Sequence, residues 1–366
     1  MLQTTHANIP ISKPLIGVEE EEAVLAVLRS GQITQGERVA TFEHAFAAYH
    51  GAAHAVAASN GTTALIMALM AHGIGPGDEV IIPSFSFFAT ASSISFTGAT
   101  PVFADIDPRT YCLSPDAAEA AITARTAAIM PVHLYGQPAD MLRFADICQR
   151  HGLILLEDAA QAHGAVSHGR AVGTWGTAAF SFYATKNMTT TEGGMLLTGD
   201  AEIARRARII RNQGMDQQYN HVMMGFNLRM TNLCAAIGLA QLEKLPAWTY
   251  RRQAHAADYT RSLLHVTPPY VAPHTEHVYH QYTVRVPAGV DRDGVVKALN
   301  ERGIGARIYY PQAIHRQPVY AETGRYDRLD LPETARAVRE VFSLPVFPTL
   351  TDDERALIIH EVNQLC

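Results

Sequence analysis

Apolar residues fall along the chain in short blocks separated by stretches of helical spacing. The runs at 79–83, 99–105, 127–132, 153–156, 178–183 and 195–198 are rich in Val, Ile, Leu, Ala and Phe. Continuous apolar runs of this length read as strands buried on both faces of a parallel sheet. Helical segments lie between them. Asn60 opens one that reaches about Ala71, 133–152 supplies a crossover, and 201–211 turns basic toward its end. Strands alternating with helices predict a large α/β domain with a largely parallel sheet. Ahead of it, Val18, Ala23, Val24, Val27 and Leu28 form an apolar helical face that ends at Ser30 and Gly31, and a second helix is expected near 39–49. The spacing of Leu233, Ile237, Ala240 and Leu242 predicts a helix over 231–245, which Pro246 closes. A polar helix to about Leu264 and the connector TPPYVAP follow. A strand at 281–286, a helix from about Asp293, a strand at 306–309 and two late helices then make a small α+β domain. The expected division is 1–245 and 246–366.

A chain of 366 residues accommodates two such domains, and 48% hydrophobic with 17% charged residues is the composition of a soluble globular protein. No run is long enough to span a membrane, and the start MLQTTHANIP lacks the basic and apolar regions of a signal peptide. Cys112, Cys148, Cys234 and Cys366 lie far apart with no CxxC spacing, which suits a reducing cytoplasm. A net charge of −6 without a basic run argues against a nucleic-acid surface. His274, His277 and His280 are spaced H-x-x-H-x-x-H, but no acidic partner stands at ligand spacing, so no metal is expected.

Glu157 and Asp158 stand at the C-terminal end of the 153–156 run, where open α/β sheets place their ligands. Lys186 follows the 178–183 run on a polar turn. Either residue alone is commonly a cap or a solvated charge. Together, a carboxylate able to pair with a pyridinium and a lysine able to form an imine are the minimum equipment of a pyridoxal 5′-phosphate (PLP) enzyme. Asn60-Gly61-Thr62-Thr63 opens a helix whose free N–H groups and dipole suit a phosphate, with Gly61 permitting close approach. Phe85, Phe87 and Phe88 follow the 79–83 strand, either as core or with one ring over a ligand.

The motifs EDAAQAHGA and FSFYATKNMTTTEGGM resemble the signature of the DegT–StrS family of PLP-dependent sugar aminotransferases, and the likeness runs from about Pro14 to the C-terminus. It implies the fold type I architecture, a mostly parallel seven-stranded sheet with a small C-terminal α+β domain. It implies a Schiff base on Lys186, Asp158 against the ring nitrogen and Gln161 near the phenolic oxygen. Phosphate contacts would come from Thr62, Thr63 and Ser181 beside Gly61, and Phe87 would stack on the ring. The landmark G-x-N-x-R appears as Gly225, Asn227 and Arg229. In the family, this segment crosses to a neighbouring subunit and the asparagine reaches the partner's phosphate, which implies a homodimer with shared sites. The loop GQITQG brings Thr34 to the site mouth, with Gln32 where an aromatic residue is common; Thr191 stands where glycine is common. Thr34, His163, Arg229, His280 and His315 are the candidate substrate contacts. The implied reaction is a ping-pong transfer from glutamate to a keto-sugar, usually nucleotide-linked. Amination of another cyclic ketone, such as a keto-inositol, and a non-catalytic PLP-binding regulator are the alternatives; the retained Lys186 favours transamination.

Overall fold

The protein is described here by a computed structural model over residues 8–366; the first seven residues, part of the start that lacks a signal-peptide pattern, lie outside the described residues. Seven strands form the central sheet: β1 (His54–Ala58), β2 (Glu79–Pro83), β3 (Thr100–Ala104), β4 (Thr126–Ile129), β5 (Ile154–Asp158), β6 (Thr177–Ser181) and β7 (Gly194–Thr198). Their spatial order is β1-β7-β6-β5-β4-β2-β3. Only β7 runs against its neighbours, pairing antiparallel with both β1 and β6. The apolar runs become strands because helices cover both faces. Val56, Val80, Ile82 and Leu196 pack on one side with the helix Gly61–Ala71, and Ala57, Ala178, Phe180 and Leu197 on the other with Phe42 and Phe46. This is the expected fold type I α/β architecture.

Three expectations change. The helix Asn232–Ser262 runs unbroken for 31 residues with Pro246 inside it. Proline removes one helical hydrogen bond, but Leu242 and Leu245 are buried before it and Ala256 and Tyr259 after it, so packing on both sides carries the helix through. Residues 306–309 form no strand; Arg307 makes a single bridge to Ser343. The strand partner of Tyr282–Arg285 is instead Val341–Leu344, antiparallel and buried throughout. The helix Val18–Ser30 leaves Val18 and Leu28 exposed and buries Glu20, whose carboxylate takes hydrogen bonds from Lys244 Nζ and Gln241 Nε2 on the long helix. Of the expected apolar face Val27 is buried and Ala23 and Val24 are half-buried, and an ion pair adds to that contact.

Candidate active site

The C-terminal ends of β1, β2, β5 and β6 converge on one cavity of about 610 Å³. After β1 the chain turns at Asn60. Its side chain accepts from Thr63 N–H at 2.9 Å, and Thr63 Oγ1 closes the capping box by accepting from the Asn60 N–H at 3.1 Å. That cap leaves the N–H groups of Gly61 and Thr62, both on the cavity wall, for an anion. Thr63 also touches the cavity, but its hydroxyl is engaged in the cap. Gly61 is required for space: a Cβ there would lie 2.6 Å from Ser181 Cβ at the end of β6.

Asp158 closes β5 and is 5% exposed. Its Oδ2 accepts from the Thr90 hydroxyl at 2.7 Å and its Oδ1 from the Ala160 N–H at 3.2 Å. Since Thr90 spends its proton on Asp158, Ser86, 2.9 Å away, is the donor to Thr90. Burial pushes the Asp158 carboxyl up, opposed by these hydrogen bonds and by Lys186. Lys186 lies on the turn after β6, its N–H bonded to the Tyr183 carbonyl. Burial brings its amine down to about 8, against the raising effect of Asp158. A cation bound beside Asp158 would favour its ionised form, and Lys186 loses its proton far more readily than a solvated lysine, which makes it available as a nucleophile.

Phe87, 57% exposed, presents its ring to the same cavity, as do Gln161, Ser181 and His280. Gln161 Oε1 accepts from the Tyr135 N–H at 2.7 Å. The other proposed residues lie elsewhere. Asn227, Arg229 and Thr34 line a second cleft of about 590 Å³ with Arg208 and Arg211. His163 is fully buried with its ring against Phe180 and Phe182, and burial takes it down to about 3. His315 is buried with Nδ1 2.6 Å from Ser84 Oγ and does not reach the cavity wall. The three spaced histidines diverge: His274 faces His168, His277 stacks on Tyr279 at 4.0 Å, and His280 enters the cavity. Among the described residues no cluster of three metal-ligating side chains occurs. Thr191 adopts φ +69°, the left-handed conformation that favours glycine, and donates its N–H to Thr189 Oγ1.

Sequence reasoning missed several cavity residues: Ile11 and Ser12 from the N-terminal segment, Ser86, Glu192, Gln281, Tyr309 and Tyr310. Behind the site, Glu157 is buried and accepts the N–H groups of Gly173, Trp175 and Gly176, each at 2.9 Å. His133 Nδ1 accepts from the Ala139 N–H, so its Nε2 carries the proton and donates to Glu157 at 3.1 Å. This carboxylate ties the β5 end to the turn that starts β6.

The chain matches the DegT/DnrJ/EryC1/StrS aminotransferase family over residues 14–363. It belongs to that family. The pleiotropic regulatory protein of Geobacillus stearothermophilus is 46% identical over 92% of this chain and 91% of its own length. The GDP-perosamine synthase of Caulobacter vibrioides is 42% identical over 98% of both chains. Among solved structures, S. venezuelae DesV in complex with a ketimine intermediate is 41% identical, with a TM-score of 0.90 over 94% of each chain. The protein is a PLP-dependent aminotransferase. The cavity of this aminotransferase fits the cofactor: free N–H groups for the phosphate, a buried carboxylate, an aromatic face and a lysine with a depressed pKa line it together.

Proposed function

We propose that this aminotransferase moves an amino group from glutamate to a nucleotide-linked keto-sugar in two half-reactions, with Lys186 as the Schiff-base lysine. The observation that carries the reading is that Lys186 and Asp158 line one cavity with the open helix end at Gly61 and Thr62. The sugar acceptor rests on the relatives, one of which is named for a GDP-linked sugar. PLP supplies an electron-accepting ring. Asp158 would hold a proton on its ring nitrogen, Phe87 would cover its ring, and Gly61, Thr62 and Ser181 would take its phosphate. Lys186, when its amine is free, would accept and return a proton as general base and acid. His280, on the wall, is placed to contact the sugar.

The reading includes a homodimer in a reducing cytoplasm. Asn227 and Arg229 lie outside the Lys186 cavity of their own chain, so they would act on the partner's cofactor and substrate. Exposed Phe96, Tyr219, Met224 and Phe226 stand available for that contact. The division into 1–245 and 246–366 and the unpaired cysteines belong to the same reading. No helix among the described residues is long and apolar enough to cross a membrane.

The test is an absorption spectrum with PLP, before and after glutamate, followed by a screen of nucleotide keto-sugars. A visible band that bleaches with glutamate supports the reading. No band, with nothing trapped on Lys186 by borohydride, ends it. A band untouched by any amino donor would favour the regulatory alternative, which the name of the Geobacillus relative brings forward.

Two further outcomes follow from the geometry. Capture of PLP by the apoprotein should quicken as pH rises, with a midpoint at about 8. Stopped-flow absorbance measures this, and a midpoint near 10, that of a solvated lysine, would contradict the burial argument. Gly61→Ala forces the helix start away from Ser181. Overpacking of about 1–3 kcal/mol corresponds to about 5–150-fold weaker PLP binding, readable by equilibrium dialysis. Unchanged affinity would remove Gly61 from the phosphate site.

A further inference from the structure

The cavity contains a hydroxyl with no role in the reading above. Tyr310 lies in the C-terminal part of the chain, yet its ring reaches the end of the large sheet, 6.1 Å from the ring of Phe87 and 6.2 Å from that of Phe85. Its hydroxyl is 3.1 Å from Gln161 Nε2. The direction of this bond follows from the other end of the amide. Gln161 Oε1 accepts from the Tyr135 N–H, so the amide nitrogen faces the tyrosine and donates to it. A phenol that accepts one hydrogen bond keeps its own proton for another acceptor. Among the described residues no protein group takes that proton, and Tyr310 shares the cavity wall with Asp158 and Lys186.

Resting on the function proposed above, we infer that Tyr310 is a cofactor-binding residue whose hydroxyl donates to the phenolic oxygen of bound PLP, beside Gln161. Three edges of the cofactor already have partners: Asp158 for the ring nitrogen, the Gly61 end for the phosphate, Lys186 for the carbonyl carbon. The phenolic oxygen is the remaining polar atom, and it is anionic, so it calls for donors. Gln161 retains one N–H beyond the bond to Tyr310, and Tyr310 retains its O–H; the two are neighbours. Burial and the nearby Asp158 raise the Tyr310 phenol, so it stays a donor throughout the neutral range. Tyr135 organises both partners. Its N–H orients Gln161, and its hydroxyl donates to the Tyr309 carbonyl, anchoring the dipeptide that carries Tyr310. The C-terminal part of the chain thus places one hydroxyl on a cofactor otherwise held by the large sheet.

The test reads the cofactor's colour, not turnover. A donor at the phenolic oxygen stabilises its anion and lowers the pH at which the visible band of bound PLP titrates. Tyr310→Phe keeps the ring and removes only the donor; it should move that midpoint up by about one unit, a tenfold change in the proton equilibrium. Gln161→Glu keeps the tyrosine but gives its proton a competing carboxylate, and should move the midpoint the same way. Adding Tyr310→Phe to Gln161→Glu should then shift it by less than in the wild type. Asp158, Lys186, Tyr183, Glu192, His280 and Tyr309 face the same cavity and are unchanged in every variant. Tyr320→Phe, whose hydroxyl pairs with Ser95 away from the cavity, serves as the control and should leave the midpoint in place. An unmoved midpoint in Tyr310→Phe overturns the inference. So does an unmoved midpoint with a raised KM for the keto-sugar, which would give the hydroxyl to the substrate. If the wild type binds no PLP, the proposed function fails and this inference fails with it.

Discussion

Lys186→Ala should abolish covalent capture of PLP and cut amino-group transfer by at least about 10⁴-fold, the upper range for loss of a positioned general acid–base, since the nucleophile disappears with it. The cavity offers no substitute. His280 also lines it, but burial, the largest cause, together with the positive Arg252 holds its imidazole well below its ordinary range even without Lys186, so it makes a weak base. Asp158 is already committed to Thr90 and Ala160. The variant should still bind PLP non-covalently through the helix end at Gly61, because that contact does not involve the lysine. Single-turnover assays with glutamate, paired with borohydride trapping and mass spectrometry, measure both effects. Residual transfer within tenfold of wild type would mean that another group carries the proton, and the assignment of Lys186 would be lost.

The largest stability effect is expected at Glu157, one residue before Asp158. Glu157→Ala leaves the N–H groups of Gly173, Trp175 and Gly176 and the ring of His133 without their acceptor inside the protein. Breaking a buried charged network from one side costs about 3–5 kcal/mol. Glu157→Gln keeps one carbonyl oxygen for part of the set and should cost about 1–3 kcal/mol, the penalty of an unsatisfied buried donor. Urea denaturation of the two variants should therefore show Ala well below Gln, and both below wild type. Equal midpoints would mean that the turn over 173–176 finds other acceptors. The consequence for function is indirect: the turn starts β6, and β6 ends at Ser181, five residues before Lys186.

Much of the site was legible because its parts are local in sequence. The apolar run ending in Glu157 and Asp158, the capped helix start at Asn60, and Lys186 beyond the next run all sit at strand ends, and strand ends of a parallel sheet share one edge. Elsewhere the surroundings of a residue depended on how the chain packs. Thr63 lines the cavity, with its hydroxyl also engaged in the cap of its own helix. His163 lies five residues from Asp158 but is buried among aromatic rings. Val18 and Leu28 satisfy a helical period yet stay exposed, while Val27 and Glu20 of the same helix are buried, Glu20 on Lys244. Pro246 is a helix breaker by local rules, and buried side chains on both flanks outweigh it.

Periodicity and residue chemistry by themselves determined the α/β class, most strand positions and the pairing of Lys186 with Asp158, because each depends on a short window of chain. Tertiary structure alone decided which side chains complete the cavity. Tyr310 lies 149 residues from Gln161 in sequence and hydrogen-bonds to it, and Thr90 lies 68 residues before the Asp158 it supports. Asn227 and Arg229 belong to a separate cleft. No local pattern encodes such pairings: they arise when chain closure brings distant polar groups together out of water, where each buried donor must find an acceptor.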